Sequence, residues 1–337
     1  MKFVSYLRNN AERAGLFIDG HIVDIAGAGK ELDLSLPVTM AELLKDWEVS
    51  LPKCKKIEDK FRAGQLPAVK SSEVTLLSPV PYPTSCRDGY AFRQHVETAR
   101  RNRGVAMIPE FDQYPVFYFT NHNAVFGEGD VLVETDHLQK LDFELECAVV
   151  ISRRGKNIES KDADSYIAGF CIMNDLSART LQMEEMMLNL GPAKGKDFAT
   201  TLGPWLVTPD ELEPYMTQTP FGKTYNLEMK AFHNGVQVSY GNVNQMNWTF
   251  AEIIERASYG AEIFPGDVIG SGTVGTGCYL ELNGTKALQA KAAGEEFTPV
   301  WLKEGDEITL EITGMGVLKN KIVRAEKEYS ILAKKKI

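Results

Sequence analysis

The sequence has no C-x-x-C pair and no zinc-binding spacing. Its five cysteines, Cys54, Cys86, Cys147, Cys171 and Cys278, are odd in number and scattered. A reducing, cytoplasmic location fits them, and Cys147 and Cys171, in apolar runs, read as small core residues. No apolar run reaches membrane-spanning length. The first twenty residues, MKFVSYLRNNAERAGLFIDG, become polar too early for a signal peptide. Positive charge is in deficit: the formal net charge of -9 argues against nucleic acid and anionic membranes as partners. A nucleotide-binding loop is missing as well. GSGTVGTG lacks the spacing, the Lys-Ser/Thr ending and the following helix, and reads as a tight backbone turn. Regular β-α-β alternation is absent too, which excludes a parallel α/β sheet.

What is present is enough apolar sequence for a full core: 337 residues, 44% hydrophobic. The pattern reads as a β-rich α+β chain. Residues 1–78 form a small N-terminal domain. KFVSYL, AGLFI and HIVDI are short strands, with Asp19-Gly20 as a hairpin turn. Val38 to Trp47 is a helix with Thr39 as N-cap, and Cys54 to Ala63 is a second, stopped by Gly64. Pro79, Pro81 and Pro83 mark the boundary with a second domain, 79–337. There Tyr90 to Arg103 reads as a helix stopped by Gly104. FGEGDVLVE, PGDVIGSG and EGDEITLEI each feed a strand from a Gly-Asp turn. From Leu227 onward short strands dominate, with Thr249 to Ser258 as the exception.

The chemistry concentrates between Phe143 and Pro204. Glu144 and Glu146 alternate with Phe143, Leu145, Cys147, Val149 and Ile151, so a strand has one apolar face and two carboxylates on the other. That second face continues as Ala148 and Val150. Paired carboxylates on a buried face repel each other and lose hydration, and a metal ion is the simplest partner. The buried strand IAGFCIM ends at Asn174-Asp175, a rigid support for a ligand. Ser177 is placed to cap the following helix, ARTLQMEEMMLNL from Ala178 to Leu190, on which Arg179 and Gln182 share a face. Lys196 sits in a glycine-flanked, shaped loop. The plainer alternatives are a solvated helix face for Arg179 and an exposed loop lysine for Lys196. His95 is one of five histidines and needs a partner to act as a base. Glu281, read as part of a strand, is a candidate.

These residues resemble the fumarylacetoacetate hydrolase family over about 80–337. The ordered motifs are E-x-E, N-D-x-S-A-R-x-x-Q, G-K-x-F-x-T-x-x-G-P-W and P-G-D-x-I-x-x-G-T, and RDGYAFRQH is similar to the histidine segment of fumarylacetoacetase. The resemblance implies a mixed β-roll catalytic domain and a homodimer. It implies Asp88, Glu144, Glu146 and Asp175 as metal ligands. Hard oxygen donors of that kind suit Mg²⁺, Ca²⁺ or Mn²⁺. It further implies His95 as general base oriented by Glu281, with Arg179, Gln182 and Lys196 binding substrate and stabilising an oxyanion. Tyr90, Tyr118 and Thr273 match pocket residues, and Lys196 and Thr200 stand beside the metal. Met186 replaces a substrate-contacting tyrosine. An arginine expected after His95 falls near Gly104, with Arg100, Arg101 and Arg103 close by. The implied reaction is hydrolysis of a carbon–carbon bond in a β-diketo acid such as fumarylacetoacetate. The alternative is an acylpyruvate hydrolase, or a 2-keto acid decarboxylase or tautomerase on the same platform.

Overall fold

The computed structural model describes residues 1–334. The chain opens with β1 (Lys2–Arg8), β2 (Ala11–Ile18) and β3 (His21–Asp24). The β2–β3 turn pairs Ile18 with His21. Asp19 and Gly20 between them both have positive φ, +48° and +80°, so the Asp-Gly hairpin reading holds. Three helices follow: α1 (Ile25–Glu31), α2 (Met40–Lys45) and α3 (Trp47–Arg62). Thr39 caps α2 through a reciprocal capping box with Glu42. Helix α3 begins earlier than Cys54 because Pro52 is tolerated within it. The short strand β4 (Val69–Lys70) ends this region.

The rest of the chain supplies β5 (Cys86–Gly89), α4 (Arg93–Asn102), β6 (Phe117–Thr120), β7 (Gly129–Val133), β8 (Leu145–Ile151) and β9 (Ile167–Asp175). Then come α5 (Arg179–Met186), β10 (Thr200–Val207), β11 (Glu228–His233), β12 (Val236–Asn242) and α6 (Phe250–Ser258). Last are β13 (Val268–Gly270), α7 (Tyr279–Ala293), β14 (Glu307–Ile312) and β15 (Gly316–Arg324). The β-rich α+β reading is therefore the fold. No helix among the described residues is long and apolar enough to cross a membrane.

Two sheets carry the structure. A twelve-stranded sheet has the main path β4-β3-β2-β1-β10-β9-β8-β13-β5-β6, with two short strands off that path, Thr75–Leu76 beside β1 and Val125–Phe126 beside β10, and a five-stranded sheet runs β12-β11-β14-β15-β7. Strand β8 shows why they stack. Leu145, Cys147, Val149 and Ile151 face one core with Met229, Ala231, Ile308 and Leu310 of the smaller sheet. Ala148 and Val150 face a second core with Phe3, Leu16, Leu43 and Trp47 of the N-terminal region. Both faces of β8 are thus dry, which is why its sequence is nearly continuous in apolar residues. Each large aliphatic side chain buried this way contributes about 1.5–3 kcal/mol.

Three local expectations change. Glu281 lies in the first turn of α7, not in a strand. The alternation C-Y-L-E-L imitates a strand, but Ala-rich sequence downstream propagates a helix that ends at Gly294, φ +71°. Ser177 does not cap α5; its hydroxyl donates to the Asp175 carbonyl at 2.9 Å, and Ala178 stands at the cap. Helix α5 also stops at Met186, well short of Leu190.

Candidate active site

Strand register gathers the site. Asp175 on β9 pairs with Thr200 on β10, and Leu145 on β8 with Asn174. Gly270 on β13 lies opposite both Ala148 of β8 and Asp88 of β5, and Asp88 is opposite Tyr118 of β6. Adjacent strands therefore deliver Thr200, Asp175, Glu146, Asp88 and Tyr118 to one end of the large sheet. Gly270 leaves the space they need. A Cβ there would stand 2.5 Å from Asp88 Oδ1 and 3.0 Å from Glu146 Oε2.

Asp88, Glu144 and Glu146 each bring a carboxylate oxygen within 4.8 Å of the others. Asp175 stands outside that group and is tied to it by Lys196, whose Nζ donates to Asp175 Oδ2 at 2.8 Å and to Glu144. Tyr118 also donates to Asp175. Arg179 donates from Nη2 to Glu144 at 2.8 Å, from Nε to Asp142 at 2.9 Å and from Nη1 to Gln182 Oε1 at 2.9 Å. Gln182 is thereby oriented with its NH₂ group free to donate. Thr273 donates to Glu146 at 3.3 Å and the Gly272 N–H to Asp88 at 3.1 Å. The GSGTVGTG turn thus lies against the carboxylates.

The electrostatics follow from who has a partner. Burial alone would raise Glu144, but the Lys196 and Arg179 charges win and hold it at about 2. Asp88 lacks a cation of its own; burial and the Asp175 charge push it up to about 7. Burial and Asp88 together drive Glu146 well above the carboxylate range. Burial would discharge Lys196, yet Asp175 and Glu144 hold it firmly charged.

The residues present fit a divalent cation. The donors are all hard oxygens, negative charge exceeds positive, and Glu146 Oε2 and Asp175 Oδ1 are buried with no hydrogen-bond partner. An uncompensated buried carboxylate costs several kcal/mol, which a bound cation offsets.

His95, on α4, and Glu281, on α7, meet with Nδ1 and Oε2 2.6 Å apart. The other carboxylate oxygen of Glu281 accepts from the Thr276 N–H at 3.0 Å. Nδ1–H is thereby the donor, and Nε2 is left as the acceptor. Tyr90 stands edge-on to the imidazole, with ring centroids 6.0 Å apart. A cavity of about 850 Å³ joins these parts: His95, Tyr90, Tyr118, Asp88, Glu144, Lys196, Arg179, Gln182 and Thr273 all line it. Glu146, Asp175, Glu281 and Thr200 are not in its wall. Met186 is in the wall, and so is Arg103, at the end of α4.

Two residues escaped the sequence reading. Asp142 is fully buried, holds Arg179, and accepts the N–H groups of Tyr279 and Leu280 at 2.7 and 2.9 Å. It joins the start of α7 to α5. The alternation Asp142-x-Glu144-x-Glu146 was its signal. Cys278 offers a sulfur within 4.8 Å of ligand atoms of His95 and Glu281, a proximity that sequence separation conceals.

Fold and site define a metal-associated enzyme for small keto acids. The chain belongs to the fumarylacetoacetate hydrolase family: residues 84–323 match the profile described as fumarylacetoacetate (FAA) hydrolase C-terminal. It is 32% identical over 294 residues to oxaloacetate tautomerase FAHD2A, mitochondrial, of Homo sapiens, covering 86% of this chain and 82% of that protein. It is 34% identical over 203 residues to fumarylacetoacetase of Oryza sativa subsp. japonica, covering 51% of this chain and 46% of that protein. Its fold is similar to maleylpyruvate hydrolase of Sphingobium sp. SYK-6 in complex with manganese(II) ion and pyruvate. The TM-score is 0.67 at 20% identity, over 97% of this chain and 100% of that one.

These matches correct two expectations. The family assignment stands, but relatives matched over most of their length include oxaloacetate tautomerases, whereas the fumarylacetoacetase match covers only about half of each chain. The human, bovine and rat tautomerases are mitochondrial by name, which overturns the cytoplasmic expectation drawn from scattered cysteines.

Proposed function

We propose that the chain catalyses keto–enol tautomerisation of a 2-keto acid, with a divalent metal ion. The observation that carries this reading is that His95, held from behind by Glu281, opens on the same cavity as Asp88 and Glu144 of the carboxylate cluster. Tautomerisation needs one base beside a charge-stabilising platform, and the closeness of His95 to the carboxylates supports those two roles. The tautomerase names of relatives matched over most of their length support it.

Asp88, Glu144, Glu146 and Asp175 would hold the ion. When bound, Mg²⁺ or Mn²⁺ supplies Lewis-acid stabilisation of negative charge on an enolate oxygen. The side chains do the rest. Gln182, fixed by Arg179, donates to the substrate, and the remaining proton of Lys196 faces the cavity. His95 Nε2 takes a proton from C3; the C3–H electron pair forms the C2–C3 double bond, and the carbonyl electrons move to oxygen. Glu281 stabilises the imidazolium. His95 then returns the proton to that oxygen, giving the enol.

The second reading is hydrolysis of an acylpyruvate, with His95 activating water. The roomy cavity favours it, since water and a longer substrate fit together. Both readings are tested by following enol absorbance of oxaloacetate with Mn²⁺, and separately the acid products from acetylpyruvate. Acceleration of the first with no cleavage of the second supports tautomerisation. Cleavage without acceleration would sink it. The homodimer is carried over as part of this reading, and light scattering tests it.

A further inference from the structure

The cavity is chemically divided along its length. Arg179, Gln182, Met183 and Met186 occupy positions i, i+3, i+4 and i+7 of α5, one face of the helix. That face starts with the groups that touch the carboxylates and ends with two methionines, roughly 6 and 10 Å further along the axis. Both methionines line the cavity, and Met186 remains 43% exposed. Leu280 and Ala287 also line it from α7, and Phe297 and Trp301 from the segment beyond. A substrate whose keto-acid head lies at the polar end has its far end against these apolar groups. A cavity of about 850 Å³ is near the top of the ~300–1,000 Å³ range of drug-sized ligand pockets. A four-carbon diacid leaves most of it empty, and its distal carboxylate would face thioethers and rings. The polar exceptions are Arg103, whose Nε donates to the Ala99 carbonyl at 3.2 Å, Asn189, and Asn102 and Asn283, whose amides donate to the Glu281 and Val300 carbonyls at 3.0 and 2.8 Å.

We propose that this outer chamber is a subsite for an uncharged hydrocarbon tail. The preferred substrate is then a 2-keto acid bearing an aryl or branched alkyl group. The proposal rests on the keto-acid reading of the inner site and narrows its substrate class.

Phenylpyruvate is the probe, with oxaloacetate as comparison, both with Mn²⁺-loaded full-length protein. Binding is read from quenching of Trp301 fluorescence, with Trp301→Phe as control, and turnover from enol absorbance. Phenylpyruvate is expected to bind more tightly than oxaloacetate. Met186→Glu is expected to raise the ratio of its KM to that of oxaloacetate about tenfold or more. Ala287→Trp fills the chamber from α7 and gives the same direction should Met186→Glu fail to fold. Equal effects on both acids, or a ratio that responds to Arg103→Ala and not to these variants, overturn the subsite. Tight phenylpyruvate binding without enolisation would leave the subsite standing and remove the tautomerase reading. Oxaloacetate turnover with no phenylpyruvate binding would do the reverse.

Discussion

His95 and Glu281 are 186 positions apart in sequence, yet Nδ1 and Oε2 lie 2.6 Å apart in the folded chain. Their pairing fixes the imidazole tautomer and leaves Nε2 toward the cavity. Replacing His95 with Ala is expected to lower turnover by about 10²–10⁴. Glu281→Gln should lower it less, because the base remains but loses its orienting charge. Mn²⁺ affinity by calorimetry should stay near wild type in both. Near-normal turnover in His95→Ala would end the general-base assignment.

Metal affinity should depend on pH through Asp88 and its neighbour Glu146, which is pushed up as well. The Asp88 carboxyl is pushed up to about 7 in the metal-free protein, so it carries a proton below that value. Cation binding must displace that proton. Affinity is therefore expected to fall as pH drops through about 7. Calorimetry in buffers of different ionisation enthalpy should show net proton release on binding. Affinity flat from pH 8 to 6 would contradict the assignment.

Lys196→Met should be costly in the metal-free protein. It strips Glu144 and Asp175 of a cation they share, and breaking a buried ion pair typically costs about 3–5 kcal/mol. Denaturant unfolding in EDTA measures the loss. Excess Mn²⁺ should recover part of it, since a cation again faces the orphaned carboxylates.

His137 offers a test away from the site. Burial, then the Lys194 charge, lowers it to about 4, and it stacks on Phe198 with centroids 4.0 Å apart. Its folded value lies below the unfolded one near 6.5, so protonation favours unfolding. Stability should fall as pH drops from about 6.5 toward 4. Relative to His137→Gln, the wild-type loss should be on the order of 1–3 kcal/mol. Parallel pH curves for the two proteins would contradict this.

The sequence displayed the carboxylates because strand alternation is a local rule. Glu144, Glu146 and Asp175 could be placed from their neighbours alone, and the hairpin at Asp19-Gly20 likewise. Glu281 was misplaced because the alternation around it imitates a strand, and only residues further on commit the segment to helix. Asp142 was passed over because its partners, Arg179 and the start of α7, lie 37 and 137 residues away. The burial that raises Asp88 is a property of five neighbouring strands, and no window of sequence contains them.

Strand β1 sits between β2 and β10, and its Lys2 and Phe3 pair with Val207 and Leu206. The hairpin β1–β2 can close as soon as it leaves the ribosome, and residues 75–76 then pair with Tyr6 and Leu7 on the other side of β1, but Lys2 and Phe3 have no mate on that side until some two hundred residues have been made. During that interval an unpaired backbone edge is open to neighbouring nascent chains. Folding of the large sheet therefore waits on a contact of long sequence separation, a slow class of closure. Synthesis rate and chaperone supply should govern the soluble yield of this chain more strongly than the strength of its finished core.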